Sequence, residues 1–255
     1  MPALINTFKQ SLANGETVFG AWLSLGTVNT TELMGAMGFD WLLIDGEHTP
    51  YDITVIRDQL MALEASPSQA AVRVPVGETW MIKQVLDAGA QTVLVPMVES
   101  ADQARQLVRA MKYPPFGIRG VGYSSTRAAG FGKIADYGQT ADDQTCLLVQ
   151  VENRAGLAAL DEILTIDGVD GVFIGPADLS ADLGHMGQLS HPVVMEAILD
   201  ATRRIAASGK APGILSSDEA VLNAAIDAGA RFVAVGVDAA MLANTARAVA
   251  SKWIK

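Results

Sequence analysis

Eight short apolar runs recur along the chain, and segments of helical spacing separate them. The runs are 18–24, 41–44, 70–74, 93–95, 146–151, 172–174, 213–215 and 232–235. Most are continuously apolar, the pattern of strands buried on both faces. The segments 30–37, 53–63, 79–86, 101–111, 156–163, 193–207, 219–228 and 239–250 carry apolar residues at helical intervals. Strand then helix, eight times, predicts an α/β fold: a single (β/α)8 (TIM) barrel. Glycines punctuate the count. Gly35-Ala-Met-Gly38, Asp87-Ala-Gly-Ala90 and Asp227-Ala-Gly-Ala230 precede the second, fourth and eighth runs. Each predicts a helix end and a short turn. The rival is an open doubly wound sheet, but no strand is followed directly by GxGxxG.

The chain has 255 residues, and at about 150 residues per domain a second domain would fit. No linker or low-complexity segment divides it, so residues 1–255 read as one barrel domain. One stretch breaks the rhythm. Residues 113–145 carry Pro114, Pro115 and several glycines without clear periodicity. A loop of this length predicts a lid or binding loop. Within it, Gly117-Ile-Arg-Gly-Val-Gly122 reads either as an anion cradle or as a set of tight turns.

Charge narrows the partners. Lys and Arg total 18 against 28 Asp and Glu, a formal net charge of −10. That balance disfavours nucleic acid and anionic membrane surfaces. No apolar run approaches the ~20 residues of a membrane span. The start, Met1-Pro2-Ala3-Leu4-Ile5-Asn6, lacks the basic-then-apolar pattern of a signal peptide. A cytoplasmic enzyme acting on small molecules is the expectation. The one cysteine, Cys146, lies in an apolar run and reads as a buried structural residue.

In such a barrel the site forms at the C-terminal ends of the strands. Polar residues gather where the runs end: Asp45, Glu47 and His48 after the second, Arg73 at the third, and Gln150 and Glu152 at the fifth. Gly175-Pro176-Ala177-Asp178 follows the sixth, and Ser216-Ser217 the seventh. Asp45, Glu47, Glu152 and Asp178 at one mouth would repel one another unless a cation sat among them. Oxygen ligands without a His or Cys cluster suit Mg2+ or Mn2+. Glu152 and Asp178, from neighbouring strands, form the best ligand pair and leave room for water and a chelating substrate. A structural salt-bridge cluster around Arg73 is the other reading. Gly175 to Ser180 predicts a turn into a short helix, with the Ala177 and Asp178 amides facing a carboxylate. An ordinary Asp helix cap is its alternative. His48, among acids, is a candidate base. His185 and His191 read as surface residues. None of the seven lysines follows a strand, which disfavours Schiff-base chemistry, and no GxSxG elbow is present.

The phrases Phe39-Asp-Trp-Leu-Leu-Ile-Asp-Gly-Glu-His48, Tyr113-Pro-Pro-Phe-Gly-Ile-Arg-Gly-Val-Gly122, Val149-Gln-Val-Glu152 and Gly168-Val-Asp-Gly-Val-Phe-Ile-Gly-Pro-Ala-Asp-Leu-Ser180 are specific. With Leu94-Val-Pro-Met97 and Phe232-Val-Ala-Val-Gly-Val-Asp238 they run nearly end to end. The chain resembles the metal-dependent (class II) pyruvate aldolases of the 4-hydroxy-2-oxoheptanedioate aldolase family, in the phosphoenolpyruvate/pyruvate barrel superfamily. The resemblance implies reversible cleavage of a 4-hydroxy-2-oxo acid to pyruvate and an aldehyde. Glu152 and Asp178 would bind Mg2+ or Mn2+, with Co2+ as a further candidate. Gln150, Gly175, Pro176, Ala177, Asp178 and Leu215 would bind the substrate. His48 would be the base, Arg73 would stabilise the enolate, and Asp87 would raise the basicity of His48. Asp87 closes the third barrel helix at the far end, so a neighbouring subunit or a water chain would have to bring the two together. The resemblance also implies a homohexamer with the C-terminal helix exchanged between subunits, and a place in aromatic-compound catabolism. The small-residue face Ala239, Ala243, Ala246 and Ala250 is compatible with close helix packing. Alternatives are a sugar-acid aldolase of 2-dehydro-3-deoxyglucarate or 2-keto-3-deoxyrhamnonate type, an acyl-CoA lyase, and a silent 2-oxo-acid-binding barrel. The aldehyde choice falls to loop residues 75–79, 123–127 and 215–217.

Overall fold

The computed structural model describes residues 1–254. Eight strands close a parallel barrel in chain order. They are β1 (Val18–Leu23), β2 (Trp41–Asp45), β3 (Gln69–Arg73), β4 (Thr92–Val95), β5 (Cys146–Val151), β6 (Gly171–Ile174), β7 (Ala211–Leu215) and β8 (Phe232–Val237). The seam between β1 and β8 runs from Val18↔Phe232 to Trp22↔Val237, with a register shift between Gly20 and Trp22. The helices are α1 (Thr7–Ala13), α2 (Val28–Gly35), α3 (Ile53–Leu63), α4 (Thr79–Ala88), α5 (Ala101–Met111), α6 (Tyr137–Gln144), α7 (Arg154–Leu164), α8 (Pro176–Asp182), α9 (Pro192–Ala207), α10 (Glu219–Asp227) and α11 (Asp238–Trp253).

The strand residues sort by parity. Outward positions such as Leu42, Ile44, Val72, Val93, Val149 and Val172 join the layer beneath the helices. Inward positions, including Trp22, Trp41, Leu43, Leu94, Leu148, Phe173 and Phe232, form a second cluster that fills the barrel. Both faces are buried, so the strands are apolar throughout. The rings need space that glycine leaves. A Cβ at Gly20 would lie 2.3 Å from the Trp41 ring, and one at Gly213 2.2 Å from Phe232. The helix-ending glycines are also as expected: Gly38, Gly89 and Gly229 have φ of 89°, 114° and 114°.

Two features differ from the sequence expectation. Helix α1, not anticipated, closes the end of the barrel opposite the mouth. Asn6 caps it by accepting from the Lys9 amide at 2.9 Å. Phe8 then reaches the interior, with ring centroids 5.7 Å from Trp41 and 6.1 Å from Phe232. The stretch 113–145 is the second correction. It is no lid: it connects α5 to β5 at the far end, and it folds into two 3-10 turns and α6. Tyr113, Ala129, Tyr137 and Ala141 pack there with Ala3 into a small core of their own. Gly117–Gly122 and residues 123–127 are therefore remote from the mouth of their own barrel, which removes them from the aldehyde-selecting loops of that mouth. Arg127 instead binds the Ala88 carbonyl at 3.0 Å and Glu64 at 2.5 Å. Among the described residues no helix is long and apolar enough to cross a membrane.

Candidate active site

Inward-facing parity carries polar groups to the mouth. Asp45 and Arg73 end β2 and β3 and are register partners, so their side chains share the interior face. The guanidinium forms a two-pronged fork: Nε donates to Asp45 Oδ1 at 2.9 Å and Nη2 to Oδ2 at 2.8 Å. Such bidentate pairs fix orientation as well as charge. Arg73 is 6% exposed and Asp45 3%. The third nitrogen, Nη1, lies 2.8 Å from Glu47 Oε2. Beneath the fork, the Arg73 cation sits 5.6 Å from the centre of the Trp22 ring. Arg73 is thus held rigidly at the mouth.

Glu152 follows β5, two residues beyond Gln150, and faces the same interior. Its Oε1 accepts from the Met97 amide at 2.8 Å, and its Oε2 accepts from Gln150 Nε2. Met97 holds left-handed backbone, φ 54°, a conformation that costs energy in a non-glycine residue and recurs at functional sites. Gly175 lies against this pair. A Cβ there would stand 2.4 Å from Glu152 Oε2 and 3.2 Å from Gln150 Nε2. Gln150 Oε1 is buried without a partner.

Gly175 caps α8, with Pro176 at its first turn and no side-chain cap. Asp178 is therefore a first-turn residue of α8 and not its cap, and it is exposed together with Ala177. Burial pushes the Glu152 carboxyl up, and the charges of Asp178 and Glu47 add to that push. Glu47 is raised as well, first by burial, against the pull of Arg73, with Asp45 and Asp178 contributing. The Asp178 charge thus opposes the ionisation of both Glu47 and Glu152. His48 stands at the rim, its side chain 67% exposed, with Nε2 4.0 Å from Glu47 Oε2. Leu215 ends β7, half-buried against the interior cluster.

Asp87 is elsewhere. It lies in the last turn of α4, and its Oδ1 accepts from Arg119 Nη2 at 2.7 Å. Arg119 is 1% exposed and lies 4.5 Å from the centre of the Tyr113 ring. Asp87 and His48 occupy opposite ends of their own barrel. The remaining candidates read plainly. Cys146 is fully buried, and burial pushes its thiol well up. His191 caps α9 and stacks on His185, ring centroids 3.6 Å apart.

Among the described residues no group of three or more His, Cys, Asp or Glu is placed to hold a metal ion. The donor set fits a site with two protein ligands. Its carboxylates are hard oxygen donors, and among the described residues Glu152 has no basic side chain among the groups that perturb it. Three contributors were not anticipated from sequence: the Met97 amide, the Trp22 ring, and Asp238. Asp238 Oδ1 accepts from Ser24 N and Oγ, both at 2.8 Å, and Oδ2 from Leu25 N at 3.1 Å. It ties the ends of β1 and β8 together. Its signal was a lone acid at the end of an apolar run, the same signal that marks Asp45.

Residues 19–245 match the family model described as HpcH/HpaI aldolase/citrate lyase. A hydroxypyruvate/pyruvate aldolase of Roseobacter denitrificans is 62% identical over 253 residues, 99% of each chain. A 4-hydroxy-2-oxo-heptane-1,7-dioate aldolase of Escherichia coli is 50% identical, covering 97% of this chain and 95% of the relative. The crystal structure of an HpcH/HpaI aldolase/citrate lyase family protein from Burkholderia cenocepacia superposes with a TM-score of 0.93 at 40% identity. It covers 97% of this chain and 98% of that one. A closed parallel barrel, a mouth built from its strand ends, and near full-length identity to named aldolases agree: this chain is a carbon–carbon lyase, an aldolase of the HpcH/HpaI aldolase/citrate lyase family.

Proposed function

We propose that the enzyme catalyses reversible aldol cleavage of a 4-hydroxy-2-oxo acid, releasing an aldehyde and pyruvate or hydroxypyruvate. The names of the relatives support both enolate-forming products. The observation that carries the reading is the buried Asp45–Arg73 fork at a mouth where Glu152 also feels the charge of Asp178. Glu152 and Asp178 would hold a divalent cation, Mg2+ or Mn2+, with Co2+ as a further candidate. That ion, when bound, supplies Lewis acidity to the 2-oxo group and balances the carboxylate charge.

The chain's own residues account for the rest. Gln150, Gly175, Pro176 and the backbone at Ala177 hold the 2-oxo acid, and Leu215 borders it. His48 accepts the proton of the C4 hydroxyl. As the O–H pair becomes the aldehyde carbonyl, the C3–C4 bond breaks and its electrons pass into the enolate of the 2-oxo acid. Arg73 stabilises that developing charge, and its fork to Asp45 removes the need to reorganise at the moment of reaction. Asp45 and Glu47 hold Arg73. Protonation at C3 completes the cycle. Asp87 would act on the His48 of a neighbouring subunit, because its own His48 lies at the other end of the barrel. A homohexamer with exchanged α11 helices would supply that arrangement. In α11 only Asp238 is buried, while Leu242, Val249 and Trp253 are exposed, which supports packing against another subunit.

The test is a retro-aldol screen across 4-hydroxy-2-oxo acids with the released 2-oxo acid as readout. Chelation abolishes turnover and Mg2+ or Mn2+ restores it. Borohydride trapping of a lysine adduct with pyruvate would sink the scheme.

A further inference from the structure

Asp87 sits where a carboxylate is poorly placed. It lies in the last turn of α4, and the carbonyl end of a helix repels negative charge. Its answer comes from the stretch 113–145. Arg119 Nη2 donates to Asp87 Oδ1 at 2.7 Å, and neither residue makes another ion pair among the described residues. The Arg119 side chain is fully buried, and its Nε and Nη1 have no hydrogen-bond partner. A guanidinium buried with so few of its donors paired is costly. The loop does not need that side chain for its path. The Ile118 amide donates to the Arg109 carbonyl and the Arg119 amide to the Lys112 carbonyl, both at 2.8 Å. A Cβ at Gly117 would stand 2.2 Å from the Lys112 carbonyl oxygen, so the loop lies directly on the end of α5. Backbone contacts therefore fix the loop, and the buried charge serves Asp87. Asp87 Oδ2 accepts no hydrogen bond among the described residues, and the side chain is 22% exposed. One oxygen is held from within, and the other is free for a group outside this chain.

We propose that Arg119 is a positioning residue: it fixes the Asp87 carboxylate at the end of α4 so that the free oxygen meets the His48 of a neighbouring subunit. The proposal rests on the pairing of Asp87 with that His48 given above. The guanidinium touches no reacting atom and acts through Asp87. The Tyr113 ring, its centre 4.5 Å from the guanidinium, supports it from the side.

Retro-aldol kinetics on a double-mutant cycle test this. Asp87→Asn lowers kcat by about tenfold or more, with KM for the 2-oxo acid substrate little changed, because the groups that hold that end are untouched. Arg119→Met removes the donors and the charge but still fills the space against Tyr113. It lowers kcat in the same way, and Arg119→Lys recovers part of the loss. With both Asp87→Asn and Arg119→Met, kcat is no lower than with Asp87→Asn alone, because a residue acting through Asp87 has nothing left to act on. Losses that multiply in the double variant overturn the proposal, as does wild-type kcat in Arg119→Met. Wild-type kcat in Asp87→Asn removes the pairing with His48 and Arg119's role together. Mixed assemblies add a readout that poor folding does not imitate. Co-expressed with His48→Ala, the Arg119→Met chain supplies His48 to sites whose Asp87 and Arg119 come from the other chain. Random pairing then returns about a quarter of wild-type activity. Co-expressed with Asp87→Asn, it returns nothing beyond the separate variants, because every pair of Asp87 and Arg119 is broken. The control is Asp87→Asn with His48→Ala. Recovery in the control without recovery for Arg119→Met overturns the proposal alone, whereas no recovery in either removes the cross-subunit pairing as well.

Discussion

Gly175→Ala puts the geometry around Glu152 to the test. Gly175 has φ −85°, where alanine meets no backbone penalty. Its new Cβ would stand 2.4 Å from Glu152 Oε2, 2.8 Å from Glu152 Cβ and 3.2 Å from Gln150 Nε2. Carbon contacts settle at about 3.5 Å, so the carboxylate must retreat by about 1 Å. It is poorly free to do so, because the Met97 amide holds Oε1 at 2.8 Å and Gln150 holds Oε2. Overpacking of this kind costs about 1–3 kcal/mol. In a protein of this size that lowers Tm by roughly 2–12 °C. The displaced group is a proposed cation ligand, and a misplacement of about 1 Å at a reacting centre costs on the order of a hundredfold in rate. Calorimetric titration with Mn2+ in the absence of substrate reads the affinity, retro-aldol turnover at saturating Mn2+ reads kcat, and a thermal melt reads stability. The expected result is a Kd for Mn2+ raised about tenfold or more, a greatly reduced kcat, and a modest loss of Tm. A variant with lowered Tm but unchanged Mn2+ affinity and kcat would refute Glu152 as a ligand. A variant unchanged in all three would refute the packing itself.

The buried fork predicts a stability cycle. Asp45→Leu leaves Arg73 buried with only Glu47, at 2.8 Å, to answer it, and costs about 3 kcal/mol. Asp45→Leu with Arg73→Met recovers most of that loss in denaturant melts, and a double variant as unstable as the single would show that charge pairing is not the cause. The crowded carboxylates predict stabilisation by metal: Mg2+ or Mn2+ at about 100 times Kd adds about 2.7 kcal/mol. That raises Tm by roughly 5–10 °C, and no rise would argue against a cation site. Cys146, fully buried with its thiol pushed well up, should resist a thiol reagent at neutral pH until the barrel unfolds, and prompt labelling of native protein would contradict its place in the interior.

The barrel was legible because two-sided burial leaves a plain signature. Leu42-Leu43-Ile44 and Leu147-Leu148-Val149, short apolar runs between helical segments, read as strands with neighbours on both faces, and their residues divide between the two core clusters. Helix α1 was not legible. Phe8 and Leu12, one helical turn apart, have meaning only against the open end of a barrel that must first exist. The stretch 113–145 misled for the same reason. Its aromatic residues face one another and α1's end of the molecule, so no period marks them. At the site the sequence rule is parity: Leu43 to Asp45, Ala71 to Arg73, Leu148 through Gln150 to Glu152, and Phe173 to Gly175 each step by two along the inward face. Polar residues at the last inward position of a strand can be found this way. The Met97 amide cannot, since a backbone donor leaves no side-chain trace, and neither can the partner of Asp87.

Charge shows most clearly what geometry adds. The net −10 of the whole chain is mostly solvated and says little. At the mouth, four carboxylates, Asp45, Glu47, Glu152 and Asp178, share one guanidinium. The fork consumes Arg73 on Asp45, and what remains of its charge reaches Glu47. Glu152 and Asp178 are left to each other, with burial raising the first. A buried charge persists when it is paired or bound to a metal. Burial of Glu152 beside the Asp178 charge therefore favours a cation there, and the proposed reaction calls for a cation at the 2-oxo group of the substrate. On the proposed reading, the charge balance of the mouth and the catalytic demand have a single remedy.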